Sequence, residues 1–551
     1  MSDDVEEGPG GPAAPPGAVD PAASAASTAS AAADAIVTPA PAPRRGRTRS
    51  WPLAAVGLGL LVIGAGTLAW ARPPERGVPT AAPNVAVDAG AADPTDLRQH
   101  NSPSIAADPT RAGRLAVVNR IDNPMFGCSL HVSTDDGATW DERQLPFPAG
   151  EDDPPRCYAP DVGFGADGAL HVSFVTLAGQ GNVPNAAWVA TSRDVGGSFS
   201  EPVRVAGRLA FQVRLAADPD DADRLYVTWL QAGAVGTLLF PETGYPVTMA
   251  RSDDGGRTWG DPTRVSPADR LRVVAPVPAV AGGALFVAYL DLGDDVLDYH
   301  GAHEGRGGEP YPGKWSLVLA RSSDGGATWS DTVVDDGLVP TQRIVVFLPP
   351  SPSLVVDDEA RRVHLAFTDG RQGDADVWVW TSTDGGRSFG PPRRVNDTPR
   401  GDGTSQYLPR LGLSVDGRLD VLYYDRRLDE HDAMNGVSLQ SSSDGGRTFG
   451  PRLVVSDRAF DSRIGFGSER DLPDLGSRLG LLSSPRRAVA VWSDTRGGTR
   501  SSGKQDLATS IVTFPEPGSD RSALRVVGAL LTVVGALVAA LAVAGRRAAD
   551  P

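Results

Sequence analysis

Arg214, Arg410 and Arg478 each stand near the start of a short apolar stretch that opens with Pro or an equivalent residue. Asp161 holds the same place in another such stretch, and Ser104, Ala279 and Ser353 complete the column. Guanidinium forks grip carboxylates through charge-assisted hydrogen bonds, each worth roughly 1.5–3 kcal/mol. Equivalent positions in a closed ring converge on its axis, so the three arginines would face one anion there. Without an anion they repel one another, unless carboxylates such as Asp161 offset them. Arg–Asp pairs that bridge neighbouring repeats are the plainer alternative.

The elements that must position this column are legible from a repeat. Six octapeptides follow the pattern Ser-x-Asp-x-Gly-x-Thr/Ser-Trp/Phe: Ser133 to Trp140, Ser192 to Phe199, Ser252 to Trp259, Ser322 to Trp329, Ser382 to Phe389 and Ser442 to Phe449. Their spacing is about sixty residues, stretching to about seventy before the fourth, which marks one supersecondary unit repeated. The Gly frees the backbone for a tight turn, and the Asp and Ser/Thr side chains can bond turn amides. Around each octapeptide lie short alternating strands, as in Pro352 to Val356, Val363 to Phe367 and Val377 to Trp380. A seventh unit, built on Leu475 to Leu482, Ala488 to Trp492 and Leu507 to Phe514, lacks the octapeptide and a clear fourth strand. The reading is an all-β fold: a β-propeller of seven blades, with six as the alternative, closed by a strand from the stretch before Asn101.

The octapeptides resemble the Asp boxes (BNR repeats) of sialidases and related propellers. In sialidases three arginines from different blades hold the substrate carboxylate, which the resemblance maps by column onto Arg214, Arg410 and Arg478. It further implies a tyrosine nucleophile assisted by a glutamate, for which Tyr407 and Glu469 stand in suitable loops, and Asp161 as acid/base; Tyr424 is a second tyrosine candidate. Two departures stand against it. The familiar sialidase ring has six blades, and the N-terminal Phe/Tyr-Arg-Ile-Pro signature is absent, Arg120-Ile121-Asp122-Asn123-Pro124 being only an echo. The function implied is an exo-glycosidase on sialic-acid-type anionic glycans. Its rival is a non-catalytic propeller of the cell envelope that binds glycan or protein, or serves assembly.

In the octapeptide blades the motif joins strands three and four, so it belongs to the mouth away from the arginine column and is read as structural. Asp369-Gly370-Arg371, Asp425-Arg426-Arg427 and Asp494-Thr495-Arg496 recur after second strands and read as ion pairs that pin loops. The acidic loop from Asp291 to Trp315, with His300, His303 and Glu304, has no EF-hand spacing and reads as a solvated flap rather than a calcium site. No cofactor and no metal ligand set is assigned.

A net charge of −16 argues against a nucleic-acid partner. Residues 1–50 are an Ala/Pro-rich tail ending in the basic Arg44 to Arg49 cluster, expected to be disordered and cytoplasmic. Uncharged runs at 51–71 and 526–545 match the length of a membrane span. The first has a cleaved signal as its alternative and the second a sorting tail. With linkers at 72–100 and 516–525 and a basic end at 546–551, the expected arrangement puts the propeller (101–515) outside the cell membrane and both termini in the cytoplasm. Cys128 and Cys157 would bond in an oxidising exterior or remain free thiols.

Overall fold

The computed structural model describes residues 51–70, 78–151, 155–233, 239–240, 244–298, 311–341, 343, 349–465, 475–515 and 522–547. The chain divides into two units, Pro73–Ser519 and a second made of Met1–Arg72 with Asp520–Pro551. The first unit is a seven-bladed β-propeller of antiparallel sheets.

The inner strands, in blade order, are His100–Ala107, Arg156–Phe164, Ala210–Ala217, Val273–Ala281, Ser353–Val356, Gln406–Leu413 and Gly480–Ser483. In the first six blades three further strands follow outward. The seventh blade borrows its outer strand: Thr80–Ala81 and Val85–Ala86 pair with Asp506–Thr513, in the register Thr80 to Thr513 and Val85 to Thr509. The segment before Asn101 thus closes the ring, as the missing fourth strand required. Lys504 locks this strap; its buried ammonium donates to the carbonyls of Gly90 (2.8 Å) and Asp93 (2.7 Å).

The core lies between blades. Ala116, Val118 and Leu130 of the first pack on Val162, Leu170 and Val172 of the second. Trp229, Trp315, Trp380 and Trp492 are fully buried, and each large apolar side chain removed from water contributes roughly 1.5–3 kcal/mol. The Asp-x-Arg recurrences add polar stitches. Arg371 binds Asp369 and, at 2.8 Å, Asp335 of the preceding blade. Arg427 joins Asp425 (2.7 Å) to Asp397, and Arg496 joins Asp494 to Asp457, by the same plan. Cys128 and Cys157 form a disulfide between the first two blades.

The second unit contains two helices, α1 (Trp51–Trp70) and α2 (Ser522–Arg547). They run antiparallel in close contact: a side chain at Gly57 would meet the Ala539 amide, and one at Gly64 the Thr532 amide. Among the described residues one stretch, Val526–Ala544 in α2, is long and apolar enough to cross a membrane. In α1 the apolar stretch is the shorter Ala55–Thr67. The expectation of two flanking spans is corrected accordingly. With one such stretch among the described residues, the expectation of both termini in the cytoplasm does not hold.

Candidate functional site

A repeated backbone device places the column. Ser102, Ala159, Gln212, Ala275 and Leu408 all have left-handed φ values, between 50° and 60°, although none is glycine. Each lies two residues before the column residue of its blade: Ser104, Asp161, Arg214, Val277 and Arg410. Gly476 (φ 87°) stands in the same relation to Arg478. At each of the five non-glycine sites the inner strand slips register, so that Tyr158 pairs with Val175 but Asp161 with Ser173. Such bulges bend a strand and re-aim the next side chains. Non-glycine residues in this region cost of order 1–3 kcal/mol each and cluster where a site demands them.

The bulges gather Asp161, Arg214, Arg410 and Arg478 around one axial cavity of about 100 Å³, with Ser104 and Ser353 also in its wall. A smaller lobe of about 30 Å³ lies against Arg120, Tyr158 and Gln212 and shares Arg214 and Arg478. Ala279 is absent from the wall; Val277 and Pro278 of its strand are there instead. Pro278, two residues beyond Pro276, the proline that holds the equivalent place after the bulge, draws the sequence-based column out of register.

Among the described residues, none of the three arginines is ion-paired with a carboxylate. Arg214 donates to Ser351 Oγ (3.3 Å). Arg478 donates to the backbone carbonyls of Ser102 (3.0 Å) and Pro160. Arg410 has no acceptor, and its buried Nε is unpartnered. Burial pushes the Arg214 and Arg410 guanidinium groups below their ordinary range; for Arg410 the Arg214 charge adds to this, and Asp161 opposes it in both. Arginine nevertheless stays protonated in proteins, so the cavity holds three cations against the carboxylate of Asp161. That carboxylate is itself occupied, accepting from Ser104 Oγ, Val162 N (3.1 Å) and Leu215 N (3.1 Å). A buried charge without a partner is costly, so the arrangement carries an uncompensated positive charge that an anion would offset.

Tyr407 is not in the cavity wall. Its hydroxyl accepts from Asn435 (2.8 Å) and Arg426 (3.1 Å), and its ring packs on Tyr424 with centroids 5.4 Å apart. Burial raises its phenol above the ordinary range, with Arg426 pulling the other way. The Tyr424 hydroxyl is bonded to the backbone of Ser493. Glu469 lies outside the described residues, as do His300, His303 and Glu304 of the acidic loop. In that loop Asp291 binds Arg270 (2.9 Å) and Asp295 binds Arg343, ion pairs that use up these carboxylates. Tyr158 was missed by sequence reasoning. Burial pushes its phenol up to about 12, with the Arg120 and Arg214 charges opposing. Nothing in the sequence marks it, since it precedes the bulge rather than the column.

On the other mouth the six octapeptides form one turn, six times. In the first, Ser133 Oγ donates to Asp135 (2.8 Å) and accepts from Gly137 N (2.9 Å), while Asp135 accepts from Thr139 N (2.9 Å) and Thr139 Oγ1 (2.7 Å). The other five repeat these bonds.

No family model matches the chain. A xyloglucanase from Paenibacillus sp is 30% identical over 231 residues, 38% of this chain and 18% of that protein. The chain therefore spans less than a fifth of that relative's length. Among solved structures, a protein of unknown function from Dyadobacter fermentans covers 79% of this chain, and 99% of its own is covered, at 15% identity and a TM-score of 0.43. The Hadza microbial sialidase Hz136 matches at 15% identity and 0.41, covering 72% of this chain and 73% of its own. An α-L-arabinanase from Penicillium chrysogenum matches at 18% and 0.42, covering 66% and 98%.

Proposed function

We propose that this propeller recognises an anionic group of a glycan, held at the ring axis by Arg214, Arg410 and Arg478. The observation that carries the reading is that three arginines from three blades meet in one cavity without a carboxylate paired to any of them among the described residues, where Arg410 also has no acceptor. The stretch of similarity to a xyloglucanase supports a glycan as the ligand. A cavity of about 100 Å³ is smaller than the 300–1,000 Å³ of sites that enclose whole ligands. It would take the charged tip of a sugar while the remainder lies at the mouth.

Hydrolysis of that glycan, in the manner of an exo-glycosidase on sialic-acid-type substrates, is a second reading. It is favoured by Asp161 standing beside the arginines in the wall. It would use Asp161 as acid/base and Tyr407 as nucleophile with Glu469 assisting, and it needs the Tyr407 hydroxyl to leave Asn435 and Arg426 for the cavity. The test is a panel of fluorogenic anionic glycosides on the full chain in detergent, with binding of N-acetylneuraminate and glucuronate measured alongside. Binding without turnover favours the receptor. Turnover lost in Tyr407→Phe establishes the hydrolase, and neither binding nor turnover sinks both.

A further inference from the structure

A roomy cavity lies on the octapeptide face. A groove of about 620 Å³ runs between the turns of the fifth and sixth blades, well within the range of ligand sites. Its wall carries Arg362, Arg393 and Arg447, together with Thr381 and the half-buried ring of Phe389. Two carboxylates stand against these three cations. Asp444 is consumed inside its own turn, accepting from Ser442, Thr448 and the Arg447 amide. Only Asp416 remains, and it accepts only a long bond from the Arg418 amide. The side chains of Arg362 and Arg393 have no acceptor among the described residues, and Arg447 donates Nε to the Asp444 carbonyl (2.8 Å). The local excess of cation is notable in a chain of net charge −16. The residue after the turn glycine is arginine in the third, fifth and sixth octapeptides (Arg257, Arg387 and Arg447) but alanine in the first and fourth (Ala138 and Ala327).

We propose that this groove is a second ligand site, for an anionic oligosaccharide. Arg362 and Arg393 would hold sulfate or carboxylate groups through paired N–H donors. Thr381 would bond ring hydroxyls, and Phe389 offers an apolar face for a sugar ring to cover. Such a site is separate from the axial cavity and lies at the other mouth, so a long anionic chain could be gripped by the face that does not read its end. Binding would be salt-sensitive, since the arginines are exposed.

The experiment titrates the full chain in detergent with a heparin-derived tetrasaccharide, an oligogalacturonate and a neutral oligosaccharide of matching length. The expected result is binding of the two anionic chains and not the neutral one. In an Arg410→Ala background, which removes the axial site, the groove should still bind both anionic chains, and combined Arg362→Ala and Arg393→Ala should weaken that binding about tenfold or more. Because these two arginines are exposed, adding the pair should leave the unfolding midpoint of that background unchanged, which separates lost binding from lost fold. Undiminished binding on adding the pair overturns the proposal. So does loss of binding in Arg410→Ala, which would move the anion to the axis, and so does binding confined to vesicles of anionic lipid.

Discussion

Asp161 Oδ2 accepts the amide of Leu215 at 3.1 Å, so the one carboxylate among the described residues of the axial cavity wall holds the backbone beside Arg214 in the next blade. Its Oδ1 takes Ser104 Oγ of the preceding blade. Asp161 thereby ties three inner strands together while its charge faces the arginines.

Replacing it shows which role dominates. Asp161→Ala strands buried donors on Leu215 and Ser104, at about 1–3 kcal/mol for each group left unsatisfied. The expected outcome is a clear fall in unfolding midpoint. Asp161→Asn keeps one acceptor oxygen and should fall less. Equal midpoints for both variants and wild type would show that the stitches carry no weight.

The left-handed bulges make an asymmetric prediction. A side chain at Gly476 would meet Ser102 N at 2.4 Å and adopt φ 87°, so Gly476→Ala should destabilise by more than about 2 kcal/mol. Ala159 already sits at φ 51°. There Ala159→Gly relieves about 1–2 kcal/mol of left-handed strain, against the greater freedom of glycine in the unfolded chain. It should be neutral or stabilising in a denaturant titration.

The octapeptide carboxylates should make the ring acid-sensitive. Hydrogen bonds from the Ser198 hydroxyl and amide and from Ser192 hold Asp194 down to about 2, and Asp254 is held at about 2 by Thr258 and Ser252 despite the opposing cost of burial. A depressed carboxylate stabilises above its unfolded pKa, near 4, and loses that contribution as pH falls through the folded value, so the loss lies between about pH 4 and 2. Unfolding midpoints across that window should fall steeply, and Asp194→Asn should flatten the slope.

The closing strap should respond in the opposite sense. Burial, with the neighbouring Asp88 charge, pushes Asp506 up to about 7, Lys504 opposing. A raised carboxyl is best tolerated when protonated, so its contribution is complete below about pH 4 and is lost as pH rises through about 7. Amide exchange at Thr80–Ala86 should quicken between about pH 6 and 8 once corrected for intrinsic rates. Asp506→Asn should abolish the change, whereas an unaltered pH response in that variant would assign it elsewhere.

Much of this was readable before any coordinates. The octapeptide period and the unpaired seventh unit announced the ring and its closure because turn chemistry is local and glycine marks it. The arginine column followed from Pro-anchored strand starts, and Arg214, Arg410 and Arg478 do share a cavity. Ala279 was misplaced by two residues because the bulge is encoded by Ser102, Ala159, Gln212, Ala275 and Leu408, residue types that give no sign of a left-handed backbone. The direction of the Tyr407 hydroxyl depends on Asn435 and Arg426, both distant in sequence.

The central claim is that the arginine triad holds an anion. Calorimetric titration of the full chain with glucuronate and with its uncharged amide, in wild type and Arg410→Ala, tests it most directly. The expected result is about tenfold or greater preference for the acid, lost in Arg410→Ala with the unfolding midpoint retained. Equal affinity for acid and amide in wild type, or a preference that survives the substitution, would contradict it.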